Sequence, residues 1–230
     1  MSNTGFDSDS ENILFFGDPN LGEEGFQRFS AYFPHARQLT WEKGTDKTAA
    51  RKKLRSQSWL FTLSFYNDYI FSCDDFDFLG LLLNIHPSLP SLRGVGYDHI
   101  PLIENHQEHG ATLHFLRRPS RNRLIVKSDI DAGRIIRTRT RKLSPQATYG
   151  DIRILNQQIA LEMLEELSEQ LLAWGDIETV YRKLSAEAEK SNLAWAERYI
   201  DSSTLQKMLR ELRTSHPGHR VFMKEPLLVK

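Results

Sequence analysis

"LLLNIHPSLPSLRG", residues 81–94, sets an unbroken apolar run against a loop holding two prolines and a glycine. The run does not alternate with polar residues. That is the pattern of a strand covered on both faces, as in a parallel sheet between helical layers. Working outward, "NILFFG" (12–17), "ARQLTW" (36–41) and "SWLFTLSFY" (58–66) read as further strands. Between them, "EEGFQRFSAYF" carries Phe26, Phe29 and Phe33 at helical spacing, and "TDKTAARKKLRSQ" reads as a helix with Thr45 as its N-cap. Alternating strands and helices predict an α/β fold with a Rossmann-like, mainly parallel sheet flanked by helices.

Beyond residue 97 the spacing changes. A short helix is expected near 98–108. "ATLHFLRR" (111–118), "RLIVK" (123–127) and "GRIIRTRTRK" (133–142) are strand-like and too close together for helical crossovers, which predicts antiparallel pairing. From about 148, Ile152, Leu155, Ile159, Met163, Leu167 and Leu171 fall at three- and four-residue steps of a long helix. The rest is expected to be helical, with a short closing strand at "HRVFM" (219–223). The domain reading is a disordered tail over 1–11, a catalytic domain over 12–175 and a short, mostly helical C-terminal extension over 176–230.

Thirty Lys and Arg balance thirty Asp and Glu, so net charge names no partner. The single cysteine, Cys73, excludes an internal disulfide and fits a reducing compartment. Acidic neighbours in "FSCDDFDF" are expected to raise its pKa and argue against a nucleophile. No apolar stretch approaches the roughly 20 residues of a membrane helix, and the polar N-terminus is unlike a signal peptide. These features lead to the expectation of a cytoplasmic protein. His106, Glu108, His109 and His114 lack a third ligand at a convincing spacing, so no metal is expected. Residues 117–142 hold ten Lys or Arg against two Asp. A solvated hairpin face, an anion-attracting rim and a nucleic-acid surface all remain open there.

The polar residues of the opening stretch invite chemistry. Sites in open α/β sheets form at the carboxyl ends of the parallel strands. Asn84 and His86 are two apart and point to the same side there. An amide donor beside a titratable imidazole can hold an oxyanion next to a general base.

"NIHPSLPSLRG", then "HGATLH" (109–114), then "DIDAGRII" (129–136) together resemble the 10-formyltetrahydrofolate-dependent formyltransferases, over roughly residues 12–145. The compactness is most like the small sugar N-formyltransferases. The resemblance implies an N-formyltransferase that moves a formyl group from 10-formyltetrahydrofolate, with no metal, to a primary amine of a small acceptor. The acceptor it points to is phosphorylated or nucleotide-linked, above all a nucleotide-linked amino sugar. Asn84 would stabilise the oxyanion, His86 would take a proton, Asp131 would hold His86, and His114 would support them. Phe65, Tyr66, Asn67 and Tyr69, with Asp129 and Ile130, would flank the folate. Ser88, Arg93, Gly94 and Tyr97 would line the acceptor side. Nucleic acid and membrane are not expected partners; a homodimer is compatible.

Two departures bear on the acceptor. "GDPNLGEEG" keeps only part of the Gly-Asn-Gly-Ser-Asn phosphate cradle of the glycinamide ribonucleotide enzymes and adds Asp18 and Glu23. The chain also lacks the large C-terminal domain with which initiator-tRNA enzymes dock their nucleic acid. Another small amine as acceptor, or a non-catalytic polyanion-binding module acting through 117–142, are the alternatives.

Overall fold

The computed structural model describes residues 12–122 and 124–227. The tail expected over 1–11 lies outside them. The six-stranded sheet contains β1 (Ile13–Gly17), β2 (Arg37–Thr40), β3 (Phe61–Phe65), β4 (Leu81–His86), β6 (Glu108–Phe115) and β7 (Ile135–Lys142), in the spatial order β2-β1-β3-β4-β6-β7. The first four are parallel, and β6 and β7 run antiparallel. This is the mixed α/β sheet expected.

Alternation along each strand sorts side chains to two faces. Ile13, Phe15, Phe61, Leu63, Phe65, Leu83 and Ile85 pack beneath α1 (Leu21–Ser30) and α4 (Tyr149–Trp174). Phe15 holds Phe29 and Phe65 at ring separations of 5.4 and 5.6 Å. Such pairs add about 0.5–1.5 kcal/mol each beyond simple burial. The opposite face carries Leu14, Phe16 and Leu82 against Trp41, Leu54 and Trp59, near α2 (Lys47–Leu54). Toward the carboxyl edge the same face turns polar, through Ser64, Asn84, His86, Thr112 and His114.

Helix starts follow local chemistry. Asp46, rather than Thr45, caps α2 by accepting from the Thr48 amide at 2.8 Å. Thr148 caps α4 in a reciprocal box with Asp151. The expected helix near 98–108 shrinks to α3 (Ile100–Ile103) before β6 begins. Two expected strands are absent. Residues 124–126 form no strand, and Leu124 is 88% exposed. Residues Arg220–Phe222 form a 3₁₀ turn.

The C-terminal elements are α5 (Ile177–Ser191), β8 (Tyr199–Ile200) and α6 (Ser202–Ser215). Helix α5 packs against β7, and β8 pairs in parallel with β5 (Arg93–Gly94). Gly94 has φ +86°, and a Cβ there would meet the Ile200 carbonyl oxygen at 2.2 Å, so this crossing admits only glycine. No described helix is long and apolar enough to cross a membrane.

Candidate active site

The polar corner sits where β4 ends. Asn84 pairs across the sheet with His114, and His86 with Thr112. The Asn84 amide nitrogen lies 3.0 Å from His114 Nε2, while His114 Nδ1 lies 2.9 Å from the Phe115 carbonyl oxygen. A carbonyl only accepts, so Nδ1 carries the proton and Nε2 receives one from Asn84. His114 is therefore neutral. Full burial pushes its pKa down to about 4, which agrees. Fixing one amide hydrogen of Asn84 leaves the other free to donate. The ladder slips register between Leu113 and His114, a bulge that re-aims the strand at this point.

His86 is held from two sides. Its Nε2 lies 3.1 Å from the Leu92 carbonyl oxygen and its Nδ1 3.5 Å from Asp131 Oδ1. Their side chains are only 6% and 12% exposed. Asp131 adopts φ +47° and accepts the Gly94 amide at 3.0 Å. The sequence-predicted Asn84, His86, His114 and Asp131 thus converge on one corner, from two strands, β4 and β6, and a loop.

Arg93, expected on the acceptor side, has another placement. It is buried, and its guanidinium donates to the carbonyls of Lys127 (3.0 Å), Ile130 (2.5 Å), Asp131 (3.1 Å) and Ala196 (3.3 Å). It clamps the loop that carries Asp131. The Asp129 carboxylate accepts the Val126 amide at 3.0 Å and tightens the same loop. Ser88 is buried, and its carbonyl accepts from the Thr112 hydroxyl at 2.6 Å.

The aromatic residues expected near the folate divide. Phe65 is wholly buried against Phe15. Tyr69 packs edge-on to Phe16 and Trp41 in the core. Asn67 organises its loop, donating to the Phe16 carbonyl and the Ser64 hydroxyl and accepting from the Tyr69 amide. Tyr66 differs. It takes φ +52°, its ring meets Tyr97 at 5.9 Å, and its buried hydroxyl has no partner among the described residues. Burial, reinforced by the Asp98 charge, raises its pKa. Tyr97 is raised in the same way. Asp98 itself is pushed up to about 6 by burial, although Asn156 donates to it at 3.1 Å.

Trp195 was not legible as a site residue. Its ring lies edge-on to His114 at 4.9 Å and to His86 at 5.6 Å, and its Nε1–H donates to the Gly133 carbonyl at 2.7 Å. The Ala196 amide donates to the Pro90 carbonyl at 3.0 Å, stitching this strand of chain to the loop after β4. The residue lies more than 80 positions from either histidine, so no local spacing marks it.

Three further expectations resolve on charge. Asp18 Oδ1 accepts the Gly22 amide at 2.5 Å, so the chain's own carboxylate occupies the N-terminus of α1 where a phosphate cradle would lie. Five arginines of 117–142 are matched. Arg137 pairs with Glu187, Arg139 with Glu162 and Glu166, Arg141 with Glu162, and Arg118 and Arg121 with Asp77. That is a salt-bridged face, which weakens the polyanion-module alternative. Cys73 has its pKa lowered, not raised, because Arg118 Nε lies 3.2 Å from its sulfur and outweighs the neighbouring acids. Among the described residues no cluster of potential ligands could hold a metal ion.

No family model matches the sequence, and no curated protein matches it. Solved structures do match its fold. The N-formyltransferase of Helicobacter canadensis, solved with folinic acid and dTDP-3-aminofucose, superposes at a TM-score of 0.60 with 14% identity, covering 84% of this chain and 71% of that one. A sugar N-formyltransferase candidate from Mycobacterium tuberculosis gives 0.59 with 16% identity, covering 95% and 98%. A formyltransferase of Anoxybacillus kamchatkensis, solved with a UDP-linked formamido sugar and tetrahydrofolate, gives 0.53 with 17% identity, covering 91% and 94%. At these identities the likeness is one of fold.

Proposed function

We propose that this chain transfers a formyl group from 10-formyltetrahydrofolate to a primary amine on a nucleotide-linked amino sugar. The observation that carries the reading is the corner at the end of β4, where Asn84 is tethered to neutral His114 and His86 faces Asp131 at 3.5 Å. The fold shared with sugar N-formyltransferases supports it.

The chemistry follows from the geometry. The acceptor amine attacks the formyl carbon, and the carbonyl oxygen gains negative charge. The free Asn84 amide hydrogen meets that oxygen, in an orientation fixed beforehand by His114, so little reorganisation is needed as charge develops. The attacking nitrogen must lose a proton, and the leaving N10 of the folate must gain one. His86 relays it through Nδ1, since Nε2–H is held by the Leu92 carbonyl, and Asp131 beside Nδ1 stabilises the charged imidazole. The bond from carbon to N10 breaks, giving a formamide and tetrahydrofolate. The enzyme forms no covalent intermediate. The clamp of Arg93 holds Asp131 in place, and Trp195 keeps bulk water from the histidines. The unpartnered hydroxyl of Tyr66, a residue expected beside the folate, offers that ligand a polar contact.

The test is tetrahydrofolate release, followed by absorbance, across a panel of dTDP- and UDP-linked amino sugars. Release that requires the amine supports transfer. Release at the same rate without any amine identifies a hydrolase. No release with any amine, and no binding of folinic acid, refutes the reading.

A further inference from the structure

Three contacts that orient His86 and Asp131 come from one loop, 87–98. The Leu92 carbonyl fixes His86 Nε2, the Arg93 guanidinium holds the backbone around Asp131, and the Gly94 amide donates to the Asp131 carboxylate. The two ends of that loop meet a single side chain. Asn156, on the 26-residue helix α4, is wholly buried. Its amide nitrogen donates to the Pro87 carbonyl at 2.9 Å and to Asp98 Oδ1 at 3.1 Å. Pro87 follows His86 directly, so the first of these contacts lies one residue from the imidazole.

The chemistry at position 156 is particular. An amide nitrogen carries two hydrogens, and both are engaged here, one on each end of the loop. Turned about, the amide would set its oxygen against a carbonyl and a carboxylate, so the observed orientation is the one that pairs. An aspartate in its place would offer only acceptors to the same two groups. The Asn156 oxygen is left buried without a partner among the described residues, which costs the fold stability. A leucine would fill a similar volume without that cost, so packing alone does not call for an amide. We infer that Asn156 is a positioning residue for formyl transfer: by tying both ends of 87–98 to α4, it keeps Leu92, Arg93 and Gly94 on the His86–Asp131 pair. The inference rests on the transfer reading above and gives α4, otherwise a packing helix, a share in aligning the proton relay.

Turnover and folinic acid affinity of the full chain test it, in native and Asp131→Asn backgrounds, with circular dichroism to confirm that each variant folds. Asn156→Leu removes both donors. It should lower kcat at least about tenfold, because small displacements of reacting groups cost rate steeply, and leave folinic acid affinity within about twofold. In the Asp131→Asn background the same change should lower kcat by less than about threefold, since the pair it aligns is already broken. Asn156→Gln, which keeps the amide on a longer arm, should recover part of the lost kcat. Ser168→Ala removes another buried hydrogen bond of α4, to the Leu164 carbonyl, and should lower Tm while leaving kcat within about twofold. If Asn156→Leu does not fold, it is made on Asp98→Asn, which leaves no buried charge unpaired, and compared with Asp98→Asn alone. The inference is overturned if Asn156→Leu keeps kcat within about twofold of its parent. It is also overturned if the loss of kcat is equally large with Asp131→Asn, or if Ser168→Ala lowers kcat as much, since either marks a role in stability only. These results in a chain that still turns over sink the role of Asn156 alone. A native chain that neither binds folinic acid nor releases tetrahydrofolate with any amine sinks the transfer reading, and this inference with it.

Discussion

Replacing Arg93 by alanine tests whether the loop carrying Asp131 is held by a clamp. One guanidinium ties four backbone carbonyls, those of Lys127, Ile130, Asp131 and Ala196, at 2.5–3.3 Å. Hydrogen bonds from a charged donor contribute about 1.5–3 kcal/mol each when measured by deletion, and they overlap when they share one group. The freed carbonyls of a largely buried cluster would need new partners. Against this, the variant recovers about 2 kcal/mol of side-chain entropy lost in fixing the arginine. The net expectation is a loss of about 4 kcal/mol, comparable with breaking a buried charged contact. In a chain of this size that lowers Tm by about 8–16 °C. Asp131 should also drift from His86, and a displacement near 1 Å can cost on the order of a hundredfold in rate. Urea denaturation followed by circular dichroism, together with turnover, measures both. Arg93→Lys should recover only part of the stability, since an ammonium cannot fork to carbonyls spread over 127–131 and 196. A loss below about 1 kcal/mol with native turnover would refute the clamp.

Acid should weaken the fold with a definite sign. His109 and His114 are both pushed down to about 4 by burial, so between the ordinary 6.5 and 4 the unfolded chain binds protons that the folded chain refuses. Their stability contribution is full above 6.5 and is lost as pH falls toward 4. Asp98 acts oppositely, holding its proton up to about 6 where the unfolded carboxyl releases it near 3.8, so its ionisation costs stability at neutral pH. Asp98→Asn should therefore be more stable than the native protein at pH 8 and lose stability more steeply from 6.5 to 4; equal slopes in urea titrations would contradict this. Trp195 should report ligand entry, because it lies on His86 and His114 in a corner whose His86 and Asp131 side chains are nearly closed to solvent. Folinic acid should change tryptophan emission in the native chain by clearly more than in Trp195→Phe, and identical changes would show that the ligand binds elsewhere.

Where the sequence was informative, neighbouring residues carried the signal. The apolar run of β4 forecast a strand covered on both faces, and the three-four spacing from Ile152 to Leu171 forecast α4, because each pattern is set by one element's own geometry. The polar pair Asn84 and His86 was visible for the same reason, two apart at a strand end. Residues 124–126 misled because they are β-prone and apolar, yet no strand lies beside them to pair with. Phe65 and Tyr69 looked available for a ligand, but side-chain type does not say which face of the sheet or loop is covered. Arg93 and Trp195 were hidden by distance along the chain. One acts through carbonyls 34–38 and 103 residues away, and the other docks through a carbonyl 62 residues away. The pairing of Arg118, Arg121, Arg137, Arg139 and Arg141 was equally invisible, since the carboxylates that answer them come from α4, α5 and the turn at Cys73–Asp77.

The most direct measurement is the turnover of Asn84→Ala beside its folinic acid affinity. The residue ends a strand and is only partly buried, so the variant should fold and keep its folate affinity, while kcat falls at least about a hundredfold, the usual effect of removing an oxyanion donor. A variant that keeps kcat within a few-fold of the native chain would mean that the carbonyl oxygen is held elsewhere.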